Sequence, residues 1–297
     1  MTPTPDEIDF PESPSSPGSP ILEALLENAS NHQHLGRRLD EAGDRVDTDQ
    51  LGDIVRHGPI LEALREKPLD RRAIEERLDV SRATSHRFVQ WLDEQGFIQK
   101  VDGRIQLTAR GEAIADEVLR FEANVGTVHR LGPLLEVICE DHQEFVIEPF
   151  LDATVTVSEP ADPYRPVQRF LSLFESSETF RGFNTTQMVP LAFEDVHQRF
   201  FDDGVNEIIY VPSVVEKLFE TYPDRAHDAI DRGHLTLRTR EELPYGLAIF
   251  DDHVGIGGYE ETTGQLQVFV DTDAPIACEW TERVYAAIRA DSKPLER

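Results

Sequence analysis

Only two cysteines occur in this chain, Cys139 and Cys278, far apart and without the spacing of zinc ligands. That excludes a disulfide framework and points to a reduced compartment, so the chain reads as cytoplasmic. No run of about 18 apolar residues is present, which excludes a helical membrane span. The first residues are acidic and proline-rich rather than basic then apolar, which argues against a secretory signal. Neither a P-loop nor a G-x-S-x-G elbow occurs. "GIGGY", residues 255–259, is glycine-rich, but no helix follows it, so it reads as a strand turn and not a dinucleotide loop.

Lysine is scarce as well: four of the 29 basic residues, against 57 Asp and Glu, for a net charge of −28. The acids are spread along nearly the whole chain, unlike an acidic tail. At molar salt the Debye length is about 3 Å, so such a surface no longer repels itself strongly. The composition resembles that of cytoplasmic proteins from salt-loving archaea. One window departs from it. Residues 54–110 hold 11 Lys and Arg against nine acids, a net +2, so the remainder carries −30. A local inversion of charge in an acidic chain is the footprint of a module that faces nucleic acid.

What is there is mostly globular: 39% hydrophobic residues, enough for real cores. Residues 1–20, with six prolines, read as a disordered tail, and 21–50 as a weakly helical extension. His32 and His34 fall in that extension and read as surface residues, not metal ligands. "PILEAL" occurs at 20–25 and again at 59–64, and the match extends to 10 identities in 21 positions. Shared Leu/Glu/Ala composition explains it better than a duplication.

From Leu51 the pattern sharpens. "IVRHGPILEALREK" is an amphipathic helix ending at Pro68. "LDRRAIEERLDV" is capped by Asp70, and "SRATSHRFVQWLDEQG" by Ser81, with Gly96 as its stop. "FIQKVDGRIQLT" is a hairpin turning at Asp102-Gly103. Helix, helix, helix, hairpin over 51–108 is the order of a winged helix-turn-helix. On its third helix Val89 and Leu92, flanked by Phe88 and Trp91, belong to the core. Arg82, Ala83, Thr84, His86, Arg87 and Gln90 then face outward. Arg matches guanine and Gln matches adenine bidentately. Lys100 and Arg104 flank the wing turn and suit phosphate. The plainer reading pairs Arg82 and Arg87 with Asp79 or Glu94 on a solvated surface.

Residues 109–133 are expected to form a linker helix that breaks at Gly132-Pro133. Ile114, Val118, Phe121, Val125 and Val128 make a heptad-like stripe, either a homodimer seam or a face packed on its own domain. Residues 134–297 alternate strand-like and helix-like runs, so an α/β domain with a mixed sheet follows, its last strands a meander. The whole chain is therefore mixed α/β: a winged helix-turn-helix, a long helix and an α/β domain. Ligands of open α/β sheets bind beyond the carboxyl ends of parallel strands. Arg181, Asn184, Thr185 and Thr186 after "TFRGF", Tyr210 at another strand end, and Tyr164 and Arg165 before a helix make a candidate effector site. Simple capping and packing would place the same residues there.

The stretch 59–138, carried by "LDRRAIEERLDVSRATSHRFVQWLDEQGFIQKVDGRIQLTARGEAIADEV", resembles archaeal winged-helix regulators of the ArsR-like superfamily. "DATVTVSEPADPYRPVQRFLSLFESSETFRGFNTT" and "YPDRAHDAIDRGHLTLRTREELPYGLAIFDDHVGIGGYEETTGQLQVFVDTDAP" resemble haloarchaeal members of the methanogenesis-regulatory (Fil-type) family. The resemblance implies a transcription regulator with double-stranded DNA as partner, and no enzyme or cofactor. Ser85 departs from it, standing where relatives place an aliphatic residue. The C-terminal sheet also loosely resembles phospholipase-D-like sensor domains, but their H-x-K pair has no match here. A second reading stays open: a small-molecule-binding or hydrolase-like α/β protein whose winged helix contacts proteins.

Overall fold

The computed structural model describes residues 46–138, 146–186, 194–260 and 263–295. The expected tail, most of the helical extension, His32, His34 and Cys139 lie outside them. Helix α1 (Thr48–Arg56) and α2 (Gly58–Glu66) replace the single helix expected over "IVRHGPILEALREK". Pro59 has no N–H to continue α1, so the chain restarts at Gly58. Next come α3 (Arg71–Leu78) and α4 (Arg82–Glu94). Asp70 accepts a hydrogen bond from the Ala73 amide at 2.9 Å, and Ser81 accepts one from Thr84 at 3.2 Å. Gly96 takes φ +71°, the left-handed conformation of a helix stop. Strands β1 (Ile98–Val101) and β2 (Arg104–Leu107) pair antiparallel, and both turn residues have positive φ, Asp102 at 48° and Gly103 at 77°. That is the turn whose twist suits a two-residue hairpin. Ile60, Leu61, Ile74, Val89, Leu92, Phe97 and Ile105 form one core under these elements.

Helix α5 runs from Ala109 to Ile138, straight through Gly132 and Pro133 where a break was expected. A proline inside a helix forfeits one hydrogen bond, and packing on both sides of Pro133 holds the helix together here. Gly111, Ala115 and Val118 are buried toward the N-terminal core; Leu131, Leu134 and Ile138 are buried toward the large sheet. At about 100° per residue these two stripes point to nearly opposite sides of the helix. One rod therefore serves two cores.

Beyond α5, a short 3-10 turn (Glu148–Phe150) stands where "EFVIEPF" suggested a strand. Strands β3 (Thr154–Val157), β4 (Thr179–Asn184), β5 (Val205–Tyr210), β6 (Leu235–Thr239), β7 (Gly246–Ile249), β8 (Val254–Tyr259), β9 (Leu266–Thr272) and β10 (Lys293–Pro294) form one sheet. Their order is β10-β6-β5-β4-β7-β8-β9-β3. β4, β5 and β6 are parallel; β7, β8 and β9 form the antiparallel meander. On one face lie α6 (Arg165–Ser176), α7 (Glu194–Gln198) with its π-turn continuation to Asp203, α8 (Pro212–Thr221) and α9 (Pro223–Arg232). α8 and α9 divide at Tyr222, where Pro223 ends a run that reads as one helix in the sequence. The other face carries the second half of α5 and α10 (Pro275–Asp291).

"GIGGY" lies inside β8, not in a turn. A side chain at Gly255 would overlap the Phe269 ring, and one at Gly257 would press on Tyr259. The glycines let aromatic rings lie flat on the sheet.

Candidate nucleic-acid interface

Helix α4 divides as its sequence periodicity implies. Ser85, Val89 and Leu92 are buried, and Phe88 and Trp91 are partly buried against the same core. Arg82, Ala83, His86, Arg87 and Gln90 are exposed, and Thr84 is half-buried. Ser85 thus occupies the inner face, with its hydroxyl unpartnered among the described residues. The Thr84 hydroxyl lies 3.0 Å from that of Ser81, and Arg87 reaches it weakly at 3.5 Å. Gln90 donates to Glu94 at 2.9 Å, so its amide must leave Glu94 before it can address a base.

Arg82 and Arg87 both stand on this exposed face. Among the described residues neither forms an ion pair with Asp79 or Glu94. Lys100 and Arg104, exposed on either side of the hairpin turn, have no ion pair either. The sheet domain handles its cations differently. Arg169 clasps the buried Asp271 through two bonds, and this raises the guanidinium pKa through hydrogen bonding against the cost of burial. Arg225 pairs with Asp202, Arg289 with Glu207 and Arg283 with Glu279. Arg199, Arg238 and Arg240 bind backbone carbonyls. Every described arginine between 163 and 291 is engaged in one of these ways, whereas Arg82, Arg87, Lys100 and Arg104 on α4 and the hairpin form no ion pair among the described residues, nor do the nearby Lys67 and Arg71. Guanidiniums free of carboxylates are what a phosphate or guanine edge requires.

The expected effector residues are only partly brought together. Asn184 and Tyr210 are register partners at the carboxyl ends of β4 and β5, both buried on the same face. Asn184 donates to the Tyr259 hydroxyl at 2.6 Å, and its own carbonyl oxygen accepts from the Thr185 amide at 2.8 Å. Burial pushes the Tyr259 hydroxyl above the ordinary tyrosine range. Thr186 lies beside the Gly264 turn, and Gln265 donates to the Pro163 carbonyl at 3.4 Å, so Tyr164 stands at this same edge. Tyr164 is exposed, and Arg165 pairs with Glu159. Arg181 does not belong to the group. Three residues before Asn184 on a strand, it points to the opposite face and pairs with Glu282. There it lines a cleft of about 210 Å³ with Asp252, His253 and Cys278. Tyr259 is the member that sequence reasoning missed; a tyrosine ending a glycine-rich strand was the available signal.

The expected stripe on α5 splits. Val118 is buried in the N-terminal core and Ile114 packs beside it, so neither is available to a partner. Phe121, Val125 and Val128 remain exposed, at 55%, 38% and 42%. Among the described residues no cluster of three or more His, Cys, Asp or Glu could hold a metal ion, and no helix is long and apolar enough to cross a membrane.

Comparison with known proteins adds two family matches. Residues 163–291 match the middle domain of the methanogenesis regulatory protein FilR1, and residues 45–130 match the HVO_A0261 N-terminal domain. No curated protein matches the chain. Among solved structures, TrmBL2, an archaeal chromatin protein, aligns with 11% identity over 79% of this chain and 92% of its own, at a TM-score of 0.39. Nuc, a phospholipase D family member from Salmonella typhimurium, aligns with 15% identity over 49% of this chain and 100% of its own, at 0.36. NucT from Helicobacter pylori gives 12%, 48%, 99% and 0.36 in the same order.

Proposed function

We propose that this chain, which carries an HVO_A0261-type N-terminal domain ahead of a FilR1-type middle domain, is a DNA-binding transcription regulator. Residues 51–108 act as a winged helix-turn-helix of the ArsR-like kind. α4 enters the major groove, Arg82 and Arg87 read guanine edges, and His86 and Ala83 line the same face. Gln90 reads adenine once it releases Glu94. Thr84 and the hairpin cations Lys100 and Arg104 hold phosphates and set the register.

One observation carries this reading. In a chain of net charge −28 whose described arginines between 163 and 291 are all engaged, Arg82, Arg87, Lys100 and Arg104 on α4 and its hairpin form no ion pair among the described residues.

The exposed Phe121, Val125 and Val128 supply a homodimer seam that would present two α4 helices to two half-sites. The edge formed by Asn184, Thr185, Thr186, Tyr210 and Tyr164, with Tyr259, takes a polar effector through its amide and hydroxyl groups. The protein acts without chemistry of its own.

Gel shift at molar salt on upstream genomic fragments tests the reading. Wild type should retard a subset of fragments. Arg82→Ala and Arg87→Ala should each weaken that binding by about tenfold or more, the worth of a bidentate base contact. Retardation of no fragment by wild type would sink the proposal.

A further inference from the structure

The geometry points to His57 as a positioning residue for the DNA-reading helix and as the joint that ties it to α5; this rests on the DNA-binding reading above. His57 stands between α1 and α2, where Pro59 interrupts the backbone ladder, and only 9% of it is exposed. Its Nδ1 lies 2.6 Å from the Asp53 carbonyl oxygen. A carbonyl can only accept, so Nδ1 carries the proton and the ring plane is fixed. That ring stacks on Trp91 with centroids 4.1 Å apart and planes at 10°, and meets Phe88 edge-on at 4.9 Å.

Trp91 and Phe88 are the neighbours in sequence of Gln90 and Arg87. A helix is rigid, so its inner and outer faces turn together. At a side-chain radius of about 5–6 Å, a rotation of about 20° moves a side-chain base by about 2 Å. That exceeds what a bidentate contact tolerates. The ring behind the helix therefore sets the aim of the residues in front of it. A leucine at 57 would fill the volume without fixing the plane.

The other side of the joint meets α5. A Cβ added at Gly58 would lie 2.6 Å from the Glu122 Oε1 and 3.3 Å from the Val118 Cγ1. α5 thus presses directly on the residue after His57, while its far end is buried against the sheet through Leu131, Leu134 and Ile138. A shift of the sheet domain reaches α4 through α5, Gly58 and the His57–Trp91 stack.

The test uses the full chain, a genomic fragment selected by wild type, and a scrambled duplex of the same length. His57→Leu should weaken binding to the selected fragment about tenfold, while affinity for the scrambled duplex and the salt slope, which count phosphate contacts, stay unchanged. His57→Phe, which keeps a stacking ring but not the Asp53 bond that fixes its plane, should recover part of the loss. An unchanged ratio of the two affinities in His57→Leu overturns the proposal. So does a parallel fall of both affinities in step with the unfolding midpoint, which marks a merely structural residue. If the His57 variants do not fold, Gly58→Ala should show the same selective loss and Gly58→Ala with Glu122→Ala should restore it; no selective loss overturns the proposal. A wild type that discriminates between no duplexes removes the DNA-binding reading, and this proposal with it.

Discussion

Ser85 has no exposure, and its hydroxyl finds no partner among the described residues. A buried hydroxyl left unpaired costs about 1–3 kcal/mol. Ser85→Ala removes it without adding bulk, so unfolding should require more denaturant, by about 1 kcal/mol, with DNA affinity unchanged because the outer face of α4 is untouched. A collapse of binding with the fold intact would mean that the helix presents another face. Asp251 offers a second residue-level test. Burial pushes its carboxyl pKa up, but hydrogen bonds from the Thr179 hydroxyl and the Glu178 and Thr179 amides, with Arg199 nearby, bring it below the ordinary range. A depressed carboxyl stabilises the fold above its unfolded value and loses that contribution as pH falls through the folded one. Asp251→Ala should therefore lower the unfolding midpoint at neutral pH, and the gap to wild type should close below about pH 4. A gap that persists at lower pH would assign the effect to packing. At this scale the sequence was readable where periodicity was strong. The faces of α4 follow from 3.6-residue spacing. Two-residue spacing also puts Arg181 and Asn184 on opposite faces of β4, yet their closeness in sequence suggested one site. Tyr259 was hidden because its role depends on strands β4 and β7 meeting far from it in the chain.

Among the elements, α5 departs most from its sequence pattern. Gly132-Pro133 signals a stop, and in isolation it would act as one; tertiary burial on both sides overrides it. The heptad-like stripe conflated two environments, because Val118 serves its own core while Phe121, Val125 and Val128 face outward. A charge at Val118 would test folding rather than association. Phe121→Asp with Val125→Asp is the sharper pair: sedimentation should fall from dimer to monomer mass, and an unchanged mass would reject this seam. Gly111 fixes where the helix starts. A side chain there would overlap the Phe97 carbonyl, backbone that cannot easily move. Gly111→Ala should cost about 1–3 kcal/mol in urea unfolding, as overpacking does. Little or no loss would show that the α5–β1 junction can open. The hairpin, the caps and the meander were legible because local turn chemistry specifies them. The order of the large sheet was not, since it depends on which strands find each other across the core.

Taken whole, the molecule separates its charges by role. The sheet domain ties its described arginines between 163 and 291 to carboxylates and carbonyls. The N-terminal unit leaves Arg82, Arg87, Lys100 and Arg104 without an ion pair among the described residues. At high salt counterion release contributes little to binding, so placement of these groups outweighs their number. Selection from a library of sheared genomic DNA by the purified full chain at molar salt tests that claim most directly. Wild type should enrich a small set of fragments sharing a short motif with guanines, and the Arg82→Ala, Arg87→Ala double variant should lose that enrichment. Recovery of fragments in proportion to their abundance, or enrichment that survives the double variant, would contradict that claim.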